Sequence, residues 1–262
     1  MDLGLKERVA IVMGASQGLG KASALQLAAE GAHVILVSRS AEKLALVKSE
    51  IESVGGSAQI QACDLFDRQS RGDLCRFIEG MDRLDVLVAN SGGPAPGMAP
   101  GIASETWSKE FDAMVLGLIE IIDASVAKMK PQGFGRVVVI ASSGIVIPIP
   151  KLAVSNTLRS AVAGYVKTLA EQMAPHGITC NLVLPGRIET PRTEAIDTGT
   201  AKNLGISVEE ARAASFATIP MGRYGDAKEF GAVVTFLASE PAAYVTGSQI
   251  RVDGGAIKSI NA

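Results

Sequence analysis

The residues Gly14-Ala15-Ser16-Gln17-Gly18-Leu19-Gly20 stand between a β-branched run, Arg8 to Met13, and an amphipathic stretch that begins at Gly20. Glycines placed there let the backbone approach a bulky anion, and the helix that follows offers free N–H groups and the positive end of its dipole. A pyrophosphate is the ligand such a turn suits. Position carries this reading more than composition does, because glycines also punctuate ordinary turns. A second chemistry-bearing spot closes the next apolar run, Leu36-Val37-Ser38-Arg39. An acid there would hold the ribose 2′-hydroxyl of NAD. Ser38 and Arg39 stand there instead, and a guanidinium takes a 2′-phosphate through two charge-assisted hydrogen bonds. NADP is the expected cofactor, with NAD as the alternative. Arg39 is otherwise a solvated charge or a group stacked on adenine.

Other chemistries find no footing. Cys63, Cys75 and Cys180 have no paired spacing, and His33 and His176 are the two histidines of the chain. No metal site is expected from them, and reduced thiols in a cytoplasmic protein are the plain reading. The formal net charge is −2 with no basic block, which argues against nucleic acid as a partner. Asp2, Lys6, Glu7 and Arg8 do not read as a secretory leader, and no apolar run is long enough to span a membrane.

The elements that must position these residues alternate along the 262 residues. Strands are expected at Arg8–Met13, His33–Val37, Ala58–Cys63, Asp85–Ala89, Arg136–Ala141, Thr179–Leu184 and Ser248–Val252. Helices are expected at Gly20–Glu30, from an N-cap at Ser40 through Glu52, and at Asp67–Gly80, Glu105–Lys130, Asn156–Met173 and Ala227–Ser239. Alternation of this kind implies βαβ units with right-handed crossovers, hence a doubly wound Rossmann-type parallel sheet of about seven strands in a single α/β domain. Apolar residues make up 47% of the chain and aromatics only 4%, so Val, Ile, Leu and Ala must fill the core, as strands buried on both faces require. Residues 191–220 break the rhythm. They read as a substrate-loop insertion with one short helical patch, Ser207 to Ala214.

With these features the chain resembles the short-chain dehydrogenase/reductase family from residue 5 to about residue 257. The spacing G-x-x-x-G-x-G at Gly14, Gly18 and Gly20 carries the resemblance first. Asp64-Leu65 stands where that family meets the adenine. Ala89-Asn90-Ser91-Gly92 resembles its turn after the fourth strand. Pro185-Gly186-Arg187-Ile188-Glu189-Thr190 resembles the stretch beside the nicotinamide amide, and Val252-Asp253-Gly254-Gly255 matches its C-terminal signature. The resemblance thus implies cofactor contacts at Gly14, Ser16, Gln17, Gly18, Leu19, Gly20, Ser38, Arg39, Asp64, Leu65, Asn90, Ser91, Gly92, Arg159, Pro185, Gly186, Ile188 and Thr190.

Family members carry Asn, Ser, Tyr and Lys as a catalytic set. Alignment of the long helix puts Arg159 at the Lys position, Ser155 at the Tyr position, Ser142 at the Ser position and Met114 at the Asn position. The motif Ser155-Asn156-Thr157-Leu158-Arg159 is similar to that of a subgroup identified as β-ketoacyl-carrier-protein reductase-like. The expected catalytic residues are therefore Ser142, Ser155 and Arg159. A Ser hydroxyl is a far weaker acid than a Tyr phenol, whose reference pKa is about 10, and Arg keeps its proton above about pH 12. Hydride transfer and electrostatic support of an alkoxide remain open to such a set. Tyr165, three turns beyond Ser155, is expected to pack on the sheet. Two functions follow: an NADP-dependent oxidoreductase acting on a small carbonyl or alcohol, or a non-catalytic NADP-binding sensor or scaffold. The resemblance also implies a homotetramer, paired through the two long helices and through the last strand.

Overall fold

The computed structural model describes residues 1–260. Seven strands form one sheet in the order β3-β2-β1-β4-β5-β6-β7. They are β1 (Val9–Met13), β2 (His33–Ser38), β3 (Ser57–Ala62), β4 (Val86–Ala89), β5 (Gly135–Ile140), β6 (Ile178–Pro185) and β7 (Gln249–Val252). Every pairing is parallel. Strand order reverses between β1 and β4, and a crevice opens beyond the carboxyl ends of the strands at such a switch point.

Side chains alternate along β1: Ile11 and Met13 enter the core on one face, Ala10 and Val12 the core on the other. The first core is closed by α3 (Arg68–Gly80), α5 (Gly117–Met129) and α6 (Ala153–Met173), the second by α1 (Gly18–Ala29), α2 (Ala41–Ser53) and α9 (Ala227–Leu237). Aliphatic residues dominate both cores. Ser40 caps α2 by accepting from the Lys43 N–H, and Asp67 caps α3 through Gln69.

Two expectations need correction. The stretch Glu105–Lys130 is not one helix. It is α4 (Ser104–Phe111), a π-helical turn at Asp112–Leu116, and then α5. The cause is the Arg71 side chain, which donates to both the carbonyl (3.3 Å) and the carboxylate (2.9 Å) of Asp112. That carbonyl also accepts from Gly117 N, five residues on, and a Cβ at Gly117 would lie 2.7 Å from Arg71 Cδ. A side chain wedged into the ladder is one of the few causes of a helix kink.

The segment 191–220 is likewise more ordered than expected. It holds α7 (Pro191–Leu204) as well as α8 (Val208–Phe216). Polar composition masked the first of these, although Thr190 caps it and Pro191 opens it. The second has a full capping box between Ser207 and Glu210.

Candidate functional site

The glycine turn is anchored from below, where Ala15 N donates to Val37 O at the end of β2 (3.1 Å). Gly14 and Gly18 have φ of +64° and +58°, a conformation that side chains disfavour. A Cβ on Gly14 would also lie 2.5 Å from Asn90 Nδ2, and one on Gly20 would run into the Gly14 carbonyl. Each glycine therefore has a separate steric reason. The N-terminus of α1 carries no capping side chain and no acid in its first turn, so its N–H groups and dipole face the crevice unclaimed, beside Ser16, Gln17 and Leu19.

At the end of β2, Ser38 Oγ is buried without a hydrogen-bond partner. Arg39 is exposed and is not part of any ion pair among the described residues. A buried orphan hydroxyl asks for an explanation, and here it stands next to an exposed guanidinium. Asp64 and Leu65 follow β3, at the same end of the sheet; the Asp64 carboxylate accepts from Phe66 N, and the Asp64 backbone N–H donates to Ser70 Oγ. Pro185 and Gly186 leave β6 against the C-terminal signature, since a Cβ on Gly186 would meet Asp253 Cα at 2.6 Å. Ile188 is buried, and Thr190 lies opposite Gly18, with its Cγ2 3.5 Å from where a Gly18 Cβ would be.

Ser155 and Arg159 sit one turn apart near the start of α6 and share its inner face. Arg159 is half-buried. Its Nη1 donates to Ile140 O (3.2 Å), and its Nη2 to Ser91 O (3.3 Å) and Gly92 O (3.4 Å). It thereby ties the ends of β4 and β5 to α6. Ser91, Met114, Ile140, Ala141 and Arg159 line one small crevice there. Burial and then the Arg192 guanidinium push the Arg159 pKa down to about 10, so it remains a cation at neutral pH. Ser155 is 5% exposed.

Ser142 begins the loop after β5, and its Oγ accepts from Gly144 N (3.0 Å). The hydroxyl proton is left to donate elsewhere. A Cβ on Gly144 would lie 3.2 Å from Ser142 Oγ and would also run into Asn156 Oδ1. Asn156 Nδ2 in turn donates to Ile149 O (2.9 Å). Sequence reading quoted Asn156 only as a motif letter; the structure makes it the latch of the loop 141–152. The same loop pairs with the β4–α4 loop through Gly97 N and Lys151 O (2.7 Å).

Tyr165 packs against the core on the sheet face, as expected, and its hydroxyl donates to Asp123 on α5. Burial and then that carboxylate raise its pKa, so it is no stand-in for a catalytic phenol. Tyr224 donates to the buried Asp197 of α7 (2.9 Å). The residue that sequence reading passed over is Arg192. It follows Thr190 by two positions, and that place in the nicotinamide-side stretch was the available signal.

Residues 14–256 match the family model described as enoyl-(acyl carrier protein) reductase. The NADPH-dependent reductase BacG of Bacillus subtilis is 35% identical over 259 residues, covering 98% of this chain and 100% of that protein. The 3-oxoacyl-[acyl-carrier-protein] reductase FabG of Thermotoga maritima is 31% identical, covering 97% of this chain and 99% of that protein. Among solved structures, YwfH, an NADPH-dependent reductase involved in bacilysin biosynthesis, superposes with a TM-score of 0.92 at 34% identity, covering 97% of this chain and 100% of that one.

Proposed function

The chain belongs to the short-chain dehydrogenase/reductase family, and from that premise we propose that it is an NADPH-dependent reductase of a small-molecule carbonyl compound. The observation that carries this reading is the convergence, at the carboxyl ends of β1, β4 and β5, of an open helix N-terminus and a cation held only by carbonyls.

In this reading the turn from Gly14 to Gly20 and the N–H groups of α1 hold the pyrophosphate. Ser38 and Arg39 take the 2′-phosphate, Asp64 and Leu65 flank the adenine, and Asn90, Ser91 and Gly92 border the nicotinamide ribose. Pro185, Gly186, Ile188 and Thr190 receive the carboxamide. NADPH, when bound, supplies the hydride. Ser142 and Ser155 donate hydrogen bonds to the substrate oxygen, and Arg159 supports the negative charge that grows on that oxygen as the carbonyl carbon gains its new C–H bond. Neither Ser nor Arg is an acid of useful strength near neutral pH. The resulting alkoxide therefore takes its proton from water, and the active site is an atypical one for the family.

The experiment is direct. NADPH affinity is measured by fluorescence, and cofactor oxidation is followed against ketones, β-ketoesters and oxo acids. Turnover of any of these is the expected result. Tight NADPH binding without turnover of any would overturn the reductase reading in favour of a sensor or scaffold. We further infer a homotetramer paired through α5 and α6 and through β7, which lies at the open edge of the sheet. A monomer by light scattering at micromolar concentration would contradict it.

A further inference from the structure

Arg192 is the second residue of α7, is exposed, and enters no ion pair among the described residues. Its side chain crosses to the β4–α4 loop, for a Cβ on Gly93 would lie 2.5 Å from its Nη1 and 2.7 Å from its Nη2. Arg159 holds the carbonyl of the preceding residue, Gly92. Two guanidinium groups thus meet at the Gly92-Gly93 step. Among the described residues no carboxylate pairs with either. Glu189, the nearest acid in sequence on one side, is engaged by Arg212 (2.6 Å), and Glu194 faces out in the first turn of α7. Like charges set so close oppose each other, which is one cause of the depressed Arg159 pKa.

A second, independent observation marks the same spot. Ser91 is 6% exposed, its Oγ has no hydrogen-bond partner, and it lines the crevice that Arg159 also lines. Two other buried arginines show what a purely structural guanidinium looks like here. Arg71 bonds to Asp112 and Glu120, at 2.9 Å each. Arg136 has carbonyl partners and stacks on Phe134, 4.2 Å from the ring centroid, at the opposite, amino end of the sheet. The Arg159–Arg192 pair differs from both: it combines missing counter-charge, an orphan hydroxyl and a place at the carboxyl ends of β4 and β5.

We propose that the substrate is an oxo acid whose carboxylate is held by Arg192 with Arg159 beside it. This rests on the reductase reading and names the substrate class of that same site. An anion would relieve the repulsion between the two cations, and a planar carboxylate matches the guanidinium fork. The cofactor pyrophosphate is the other anion of such a site, but α1 already offers it a receptor of its own.

The test uses the whole chain with pyruvate, acetoacetate and levulinate, each against its methyl ester. Binding to the NADP+-loaded protein is read by calorimetry and turnover by NADPH oxidation. The expected result is a preference for at least one acid over its ester of about 10- to 100-fold, the range of a charge-assisted contact. Arg192→Ala should collapse that ratio, and Arg192→Lys should restore part of it, with the NADPH Kd unmoved. Equal handling of acid and ester by the wild type overturns the proposal. So does an Arg192→Ala variant that loosens NADPH yet keeps the ratio, for the cation then serves the pyrophosphate. If the chain binds no NADPH at all, the reductase reading falls; calorimetry of acid against ester on the free chain then decides the carboxylate site separately.

Discussion

The two ends of the parallel sheet treat charge in opposite ways. At the amino end Asp85, 1% exposed, accepts from Arg8 Nη1 at 3.0 Å, Arg83 Nε at 2.6 Å, Arg83 Nη2 at 2.8 Å and the backbone N–H of Val9 at 2.9 Å. Arg8 continues to Glu240 at 2.6 Å and lies over the Phe134 ring, which Arg136 also covers. At the carboxyl end, among the described residues, the guanidinium groups of Arg39 and Arg192 have no ion-pair partner, Arg159 has only carbonyls, and the hydroxyls of Ser38 and Ser91 are orphans. A closed network stabilises the chain by itself. An open one of the same residue types costs stability unless something else completes it, and the switch point of the sheet is where a ligand does so.

The comparison breaks most visibly at Asp85. Asp85→Ala removes the acceptor shared by two arginines and one backbone N–H. Breaking a buried pair costs about 3–5 kcal/mol, and the partial exposure of Arg8 and Arg83 places this one near about 3 kcal/mol. Denaturant unfolding should register that loss, while the NADPH Kd of the folded fraction stays as in the wild type. A comparable loss of cofactor affinity would mean that the two ends are not separate in function.

Arg159→Ala should do the reverse. It removes a cation that burial already disfavours, so stability changes by less than about 1 kcal/mol. Turnover, in contrast, should fall roughly 100-fold, the size of losing one donor to a developing oxyanion. The pH dependence has a definite sign. The folded-state pKa is lowered to about 10 by burial and by Arg192, so the charge is complete throughout the neutral range and lost as pH rises past about 10. Arg159-dependent affinity should be flat below that point and fall above it. The stability penalty runs the other way, present below about 10 and relieved above, because the unfolded chain holds its proton to higher pH.

How much of this the sequence carries differs between the two ends as well. The carboxyl end was legible where backbone does the work: Gly14, Gly18 and Gly20 have steric needs that no other residue meets, and their spacing is local. Ser142, Ser155 and Arg159 come forward as candidates through alignment of one helix and one strand end. Arg192 does not, because its partner Gly93 is remote in sequence and only the fold brings them together. The π-turn at Met114 escaped for the same reason, since its cause is Arg71 on α3. α7 escaped because its face toward the chain is made of Thr193, Asp197 and Ala201, which give no apolar period to read. The Asp85 network, assembled from four separate segments, left no sequence signal at all.

A smaller effect sharpens the picture at the adenine side. Arg39→Ala should weaken NADPH binding about 10-fold and leave NADH binding nearly unchanged, since a charge-assisted contact to phosphate is lost and nothing else. Parallel titrations of both cofactors decide it. Equal loss for the two would place Arg39 on the adenine ring and not on the phosphate.

The finest distinction concerns orphan hydroxyls, because one of them lies at the wrong end. Thr179 Oγ1, at the amino end of β6, is buried without a partner just as Ser91 Oγ is. Burying a polar group unpaired costs on the order of 1 kcal/mol or more, so removing either hydroxyl should raise the stability of the ligand-free chain. Thr179→Val deletes it with the shape kept, and Ser91→Ala deletes it with little change in volume. If the two ends differ as the ion pairs indicate, only Ser91→Ala carries a functional penalty, a loss of a few-fold in kcat/KM as one hydrogen bond to a bound ligand disappears. Thr179→Val should be silent in kinetics. Both variants are compared by thermal unfolding with and without NADP+: for Ser91→Ala the gain in Tm should shrink when ligand is added, and for Thr179→Val it should persist. A gain that persists in both would make Ser91 a packing residue like its counterpart, leaving Arg159 and Arg192 as the whole of the open network in that crevice.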